Sequence, residues 1–270
     1  MITPIIHRFD EVGSTNDVAL EMARKGAPEG TVVLARSQTK GRGRRGRTWL
    51  AKPGESLILT TILRPPPERY RQMAFVAAVA VAECLEQECG LEPQIKWPND
   101  VLINDRKICG VLTESASGAV VIGIGVNVLQ TDFPEEIANR ATSVAIEQIC
   151  TPLALSNEVY PSADRPGLPS ANGAGCSQPI GVDALAESIV RHLFAAYELS
   201  FEEILVRWRK YIWGLGRPVD VTTEGGTITG MITGIDSDGA LLIDEDGGIR
   251  RVLSADAINV RMSPSLQSEI

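Results

Sequence analysis

Eight consecutive residues, Lys40-Gly41-Arg42-Gly43-Arg44-Arg45-Gly46-Arg47, carry five cations and three glycines. Arginine offers planar, bidentate donors that match a phosphate or a carboxylate. Glycine lets a backbone take unusual φ values and approach a ligand closely. A charge run of this kind is most often a solvated turn, and a second reading is a nucleic-acid or localisation patch. The glycine alternation favours a third, a segment that grips a small anion. It is not a Walker loop, which needs Gly-x-x-x-x-Gly-Lys-Ser/Thr.

Two further segments carry chemistry. In Lys96-Trp97-Pro98-Asn99-Asp100, a proline interrupts a strand and a lysine stands beside aromatic and amide groups. The bland reading is a strand end held by its tryptophan. The functional one is a compact ammonium facing a carboxylate or phosphate whose charge develops during reaction. In Ile122-Gly123-Ile124-Gly125-Val126-Asn127-Val128, the strand period of two puts Gly123, Gly125 and Asn127 on one face and the branched aliphatics on the other. A bare backbone floor of this kind accommodates either a flat ligand or a crossing helix. Asn127 can both donate and accept, as an adenine edge requires.

These residues need elements to position them. Ser14-Thr15-Asn16 suits the start of a helix running through Ala23. Thr31 to Ser37 and Ser56 to Leu63 have the composition of strands on either side of the basic loop. Tyr70 to Glu88 is rich in Ala, Val, Glu and Gln and predicts a core helix. Strands are expected at Gln94–Ile103, Lys107–Ser115 and Ala119–Leu129, then a short helix at Pro134–Arg140. Helical periodicity returns at Val182–Tyr197 and Phe201–Ile212. From Pro218 to about Arg261 short alternating strands with Gly-rich turns predict a small β-barrel. Thr151 to Pro179 holds five prolines, four serines and three glycines without periodicity, and is expected to be a mobile insertion.

Composition limits the partners. The 270 residues carry a formal net charge of −8, so the chain outside the basic loop sums to −13. Such a body repels nucleic acid and anionic membranes. The longest apolar run, Met73–Ala82, is about half a membrane span. No secretory signal is visible at the N-terminus, and a cytoplasmic protein is expected. Five cysteines form no CxxC pair, and with two histidines they supply no metal-ligand spacing.

Taken together, the motifs resemble those of the biotin protein ligases, the biotin–acetyl-CoA-carboxylase ligases. The resemblance runs from about Phe9 to Arg261 without residues 151–179. It is carried by Gly13-Ser14-Thr15-Asn16, Gln38 to Arg47, Lys96 to Asp100, Arg106-Lys107-Ile108-Cys109-Gly110 and Gly123 to Asn127. It implies an α/β (α+β) fold: an SH2-like mixed-sheet catalytic domain over 1–213, containing the 151–179 insertion, and an SH3-like β-barrel over 214–270. It also implies that biotin is activated by Mg·ATP to biotinyl-5′-AMP and then passed to a lysine of a biotin carboxyl carrier protein domain. By motif position, Ser14, Thr15, Asn16, Gln38, Gly41, Arg42, Gly43, Arg44, Lys96, Gly110 and Gly125 should contact biotin. Arg42, Arg44, Arg47, Trp49, Lys107 and Asn127 should serve the nucleotide, with Lys96 and Arg44 catalytic. Mg²⁺ would come with the nucleotide, no protein metal site being expected.

Only about a dozen residues precede Ser14, so the resemblance implies the form without an N-terminal DNA-binding domain and no nucleic-acid partner. The family includes monomers and dimers, which leaves a homodimer open. The basic loop is expected to order over its ligands. Two alternatives stand beside this reading: a lipoate or octanoate ligase, and a non-catalytic nucleic-acid-binding protein.

Overall fold

The computed structural model describes residues 2–149, 180–253 and 257–263. A seven-stranded mixed sheet comprises β1 (Ile5–Val12), β2 (Thr31–Gln38), β3 (Ser56–Leu63), β4 (Gln94–Lys96), β5 (Asp100–Ile103), β6 (Arg106–Ala116) and β7 (Ala119–Asn127). Their spatial order is β1-β2-β3-β7-β6-β5-β4. Only β1 and β2 are parallel, and the crossover that parallel pairing requires is helix α1 (Thr15–Arg24). Sequence patterning missed β1, because this edge strand is mostly exposed and offers no run of buried positions.

The two faces of the sheet are covered unequally. On one face, α2 (Met73–Cys89) packs with α4 (Val182–Tyr197) and α5 (Phe201–Lys210). Helix α2 is apolar almost all round, as a helix enclosed by sheet and neighbouring helices must be. It ends at Gly90, whose φ of 65° is left-handed. Val120, Ile122, Ile124 and Val126 of β7 point into this core. On the other face α1 is the one helix among the described residues that covers the sheet, burying Ala19, Leu20 and Ala23 against Val33, Ile62, Ala119 and Val121. Helix α1 begins beside Gly123, so beyond that point the face is free to bear a pocket.

Strands β8 (Pro218–Thr223), β9 (Gly226–Ile235), β10 (Leu241–Glu245), β11 (Gly248–Val252) and β12 (Ala257–Met262) form a separate antiparallel sheet ordered β11-β10-β9-β8-β12. It joins the first sheet where the Trp97 indole N–H donates to the Gly239 carbonyl at 2.9 Å.

Two expectations are corrected. The short helix predicted at Pro134–Arg140 is a run of turns, and the helix falls later, at α3 (Val144–Ile149), where Ser143 Oγ accepts from the Ile146 N–H. The expected strand at Gln94–Ile103 is instead two antiparallel strands, β4 and β5, that turn on Trp97-Pro98-Asn99 with a cis Trp97–Pro98 bond. Pro98 thus lies at the turn between two paired strands and does not interrupt a single one. The 151–179 segment lies outside the described residues.

Candidate active site

Strand register builds the floor of the site. Ile58 pairs with Gly125, Gly125 with Gly110, Gly110 with Asp100, and Asp100 with Lys96. Residues paired across strands share a face, so one row crosses five strands with two adjacent glycines at its centre and a lysine at its end. The neighbouring row is Thr60, Gly123 and Leu112. Together these rows floor a cavity of ≈ 180 Å³ that is roofed by the basic loop.

The floor is occupied by the protein's own side chains. A Cβ on Gly123 would lie 2.2 Å from Asn16 Oδ1, and a Cβ on Gly125 would lie 2.6 Å from the Trp49 ring. A helix thus crosses Gly123 and an indole covers Gly125, so the helix alternative describes Gly123. Trp49 also lies beside Gly110. Its buried Nε1–H has no hydrogen-bond partner among the described residues.

At the α1 end, a polar network fixes the pocket wall. Ser14 holds the N-cap position without a side-chain cap bond and lines the cavity. Gln38 Oε1 accepts from the Thr15 N–H at 2.7 Å and from its hydroxyl at 3.1 Å. The buried Thr60 hydroxyl lies 2.9 Å from Thr15 Oγ1 and 2.7 Å from Asn16 Oδ1, bridging the two. Asn16 Nδ2 donates to Glu114 Oε2 at 2.7 Å. Glu114 in turn accepts from Arg42 at 2.9 Å, and Asp17 holds the same guanidinium at 2.8 Å. The hydrogen bond that Asp17 accepts from it, assisted by the charge of Glu114, raises the Arg42 pKa against the effect of burial.

The loop closes on itself. The Gly43 N–H donates to the Arg47 carbonyl and the Trp49 N–H to the Gly41 carbonyl, enclosing a 3₁₀ turn at Arg44–Gly46. Arg45 takes a left-handed φ of 54° and pairs with Glu224, in the turn between β8 and β9, at 3.1 Å. Arg44 reaches Asn99 Oδ1 at 3.4 Å. Gly41 does not line the cavity; it packs under the Trp49 carbonyl, which a Cβ there would meet at 2.8 Å.

Electrostatics distinguishes the two cations predicted to be catalytic. Burial lowers the Lys96 pKa; Asp100 opposes this, and the charges of Lys107, Arg261 and Arg47 lower it further. Lys96 Nζ sits 4.9 Å above the Trp213 ring. Arg44 is likewise lowered first by burial, with Asp100 opposing and Arg45 and Arg47 adding to the effect. Both groups are desolvated and pressed by like charges, an arrangement that an entering anion relieves.

Lys107 pairs with Asp100 at 2.6 Å and lies 5.6 Å from the Trp49 ring centroid. Asn127 is not brought to the cavity. It is buried, and its Nδ2 donates to the Thr142 carbonyl at 2.9 Å and the Lys107 carbonyl at 3.5 Å. Asn127 here braces the Lys107 backbone.

The structure adds participants that sequence reasoning did not select. Thr60 is a hydroxyl in a fully buried strand, on the face of Ile58, and Glu114 follows Gly110 at strand period on the same face; both carried a readable signal. Asp17, Trp213, Asn259 and Val260 carried none, since only the packing of α1, the bridge from Ile212 to Ile95 and the docking of the second sheet bring them here.

A family model described as the biotin/lipoate A/B protein ligase family matches residues 9–129, and one described as the biotin protein ligase C-terminal domain matches residues 214–258. A bifunctional ligase/repressor BirA from Bacillus subtilis is 34% identical, the match covering 92% of this chain and 71% of that protein. The biotin–[acetyl-CoA-carboxylase] ligase of Paracoccus denitrificans is 33% identical, over 90% of this chain and 95% of the relative. A biotin protein ligase from Aquifex aeolicus, solved with biotin and ATP, superposes with a TM-score of 0.76 at 29% identity, covering 96% of this chain and 99% of that one. The chain belongs to the biotin protein ligase family.

Proposed function

We propose that this protein joins biotin to ATP as biotinyl-5′-AMP and then transfers biotin to a specific lysine of a biotin carboxyl carrier domain. The observation that carries this reading is the register row ending at Lys96. It places a half-buried ammonium at the edge of a glycine floor, under a loop whose Arg44 is, like Lys96, desolvated by burial and pressed by neighbouring cations.

In the first step a biotin carboxylate oxygen attacks the α-phosphorus, and the bond to pyrophosphate breaks. Two anions must meet, so the catalytic task is to position them and neutralise their repulsion. Ser14, Thr15, Asn16 and Gln38 hold the end of biotin remote from the carboxylate. Lys96 and Arg44 face the junction where charge accumulates, while Arg47, Trp49 and Lys107 bind the nucleotide. In the second step the carrier lysine amine attacks the acyl carbon and AMP leaves.

Mg²⁺ is part of the nucleotide substrate. Asp100 is the one Asp or Glu among the described residues lining the cavity, and no cluster of three His, Cys, Asp or Glu exists among them. No helix among the described residues is long and apolar enough to cross a membrane.

Incubation with ATP, Mg²⁺, biotin and a carrier domain should place biotin on one carrier lysine. Biotin, and not lipoate, should raise the melting temperature. A rise with lipoate alone would overturn the biotin assignment. Replacing Arg44 with Gly should speed dissociation of the adenylate more than it slows its formation, because the lid residue shields a mixed anhydride from water. An unchanged adenylate dissociation rate would contradict that role.

A further inference from the structure

Glu147 lies outside the cavity, on α3, yet it is 3% exposed and its carboxylate accepts from three side chains on two segments. Oε1 accepts from Arg106 at 2.8 Å and from the Thr142 hydroxyl, and Oε2 accepts from Asn104 Nδ2 at 2.9 Å. Asn104 and Asp105 form the β5–β6 turn with left-handed φ values of 50° and 60°. Arg106 directly precedes Lys107. Thr142 lies on the strip that flanks Lys107: the Lys107 N–H donates to the Arg140 carbonyl at 2.8 Å, and the Thr142 N–H donates to the Lys107 carbonyl at 2.9 Å. Asn127 closes the circuit by donating to the Thr142 carbonyl. One buried carboxylate thus grips the chain before Lys107 and the chain beside it.

A buried carboxylate is costly unless it is fully paired, so three donors converging on one define a rigid local geometry. What that geometry aims is the Lys107 side chain, between Asp100 and the Trp49 ring. We propose that Glu147 is a positioning residue for nucleotide binding, acting through Arg106 and Thr142 on Lys107. The inference rests on the reading of Lys107 as a nucleotide ligand. Misplacing a ligand-positioning backbone by about 1 Å costs up to roughly a hundredfold.

The test measures KM for ATP in adenylate formation, and biotin affinity by titration, in a double-mutant cycle. Glu147→Gln should raise KM for ATP about tenfold, within that ceiling, and leave biotin affinity within about twofold of wild type. In a Lys107→Met background, already raised, Glu147→Gln should add nothing. Arg106→Gln, which loosens the same grip from the half-exposed side, should reproduce the effect if Glu147→Gln does not fold. Arg106→Lys, which keeps a cation against the carboxylate, should restore most of the affinity. Equal effects of Glu147→Gln in both backgrounds, or a parallel loss of biotin affinity, would show a merely structural role and overturn the inference. An unchanged KM in Glu147→Gln with a raised KM in Lys107→Met would overturn it while sparing the reading of Lys107. An unchanged KM in Lys107→Met would remove both.

Discussion

Replacing Lys96 with methionine should cut the rate of biotinyl-adenylate formation by about 10²–10³-fold, the scale seen when one preorganised charge-stabilising donor is removed. Lys96 stands at the edge of the glycine floor, its ammonium over Trp213 and among Lys107, Arg261 and Arg47. Methionine keeps most of the side-chain volume and removes the charge. The same substitution should make the unliganded protein more stable, which separates it from ordinary loss of folding.

The sign follows from the depressed pKa. Burial and neighbouring cations disfavour the ammonium, so the folded-state pKa lies below the ordinary 10.5. Below the folded value, both states hold the proton and the folded state bears the full cost of the charge. Between the folded value and 10.5 the unfolded chain binds more protons, so stability rises with pH across that window. The Lys96→Met variant should lack this rise. In the wild type, the alkaline limb of kcat/KM should fall below the usual lysine range and disappear in the variant. A Lys96→Met enzyme with normal adenylation, or with a lower apo melting temperature at neutral pH, would refute the assigned role.

Gly123→Ala should abolish measurable biotin binding at micromolar concentration and cost about 1–3 kcal/mol of stability, the usual scale of overpacking. A new Cβ would meet Asn16 Oδ1 at 2.2 Å. The amide cannot swing aside cheaply. Thr60 donates to its oxygen, while its nitrogen donates to Glu114 and, at 3.4 Å, to the Leu112 carbonyl. Displacing Asn16 therefore disturbs Thr15 and Gln38 through Thr60, and Arg42 through Glu114, so four residues assigned to biotin move together. Calorimetric titration with biotin, together with thermal unfolding, measures both effects. Retention of wild-type affinity would show that the Asn16 network does not form the biotin site.

Much of the site was legible because its chemistry is local. A run of Gly and Arg, a lysine beside Trp-Pro-Asn-Asp, and glycines at strand period each reveal themselves within a few residues. The core helix α2 and the buried strand β3 were equally plain from composition. Strand β1 was hidden because an exposed edge strand has no apolar pattern. Asn127 departs from its expected place for a different reason. Its face was read correctly from periodicity, but its amide is spent on the Lys107 and Thr142 carbonyls, and their position depends on the 140–142 segment.

The sequence by itself determined which residue types are present to bind two anions, and which face of β7 is bare, since side-chain chemistry and strand period need only neighbours along the chain. Tertiary structure decided what the bare face meets. Register across five strands brought Lys96 to the glycines, and the start of α1 set where helix cover ends. The docking of the second sheet supplied Asn259 and Val260 to the wall. These are long-range contacts between segments far apart in sequence, with no trace in the local pattern of either partner. That is why the cation loop could be read early as a grip on a small anion, while the lysine waiting beneath it became a partner only in the folded sheet.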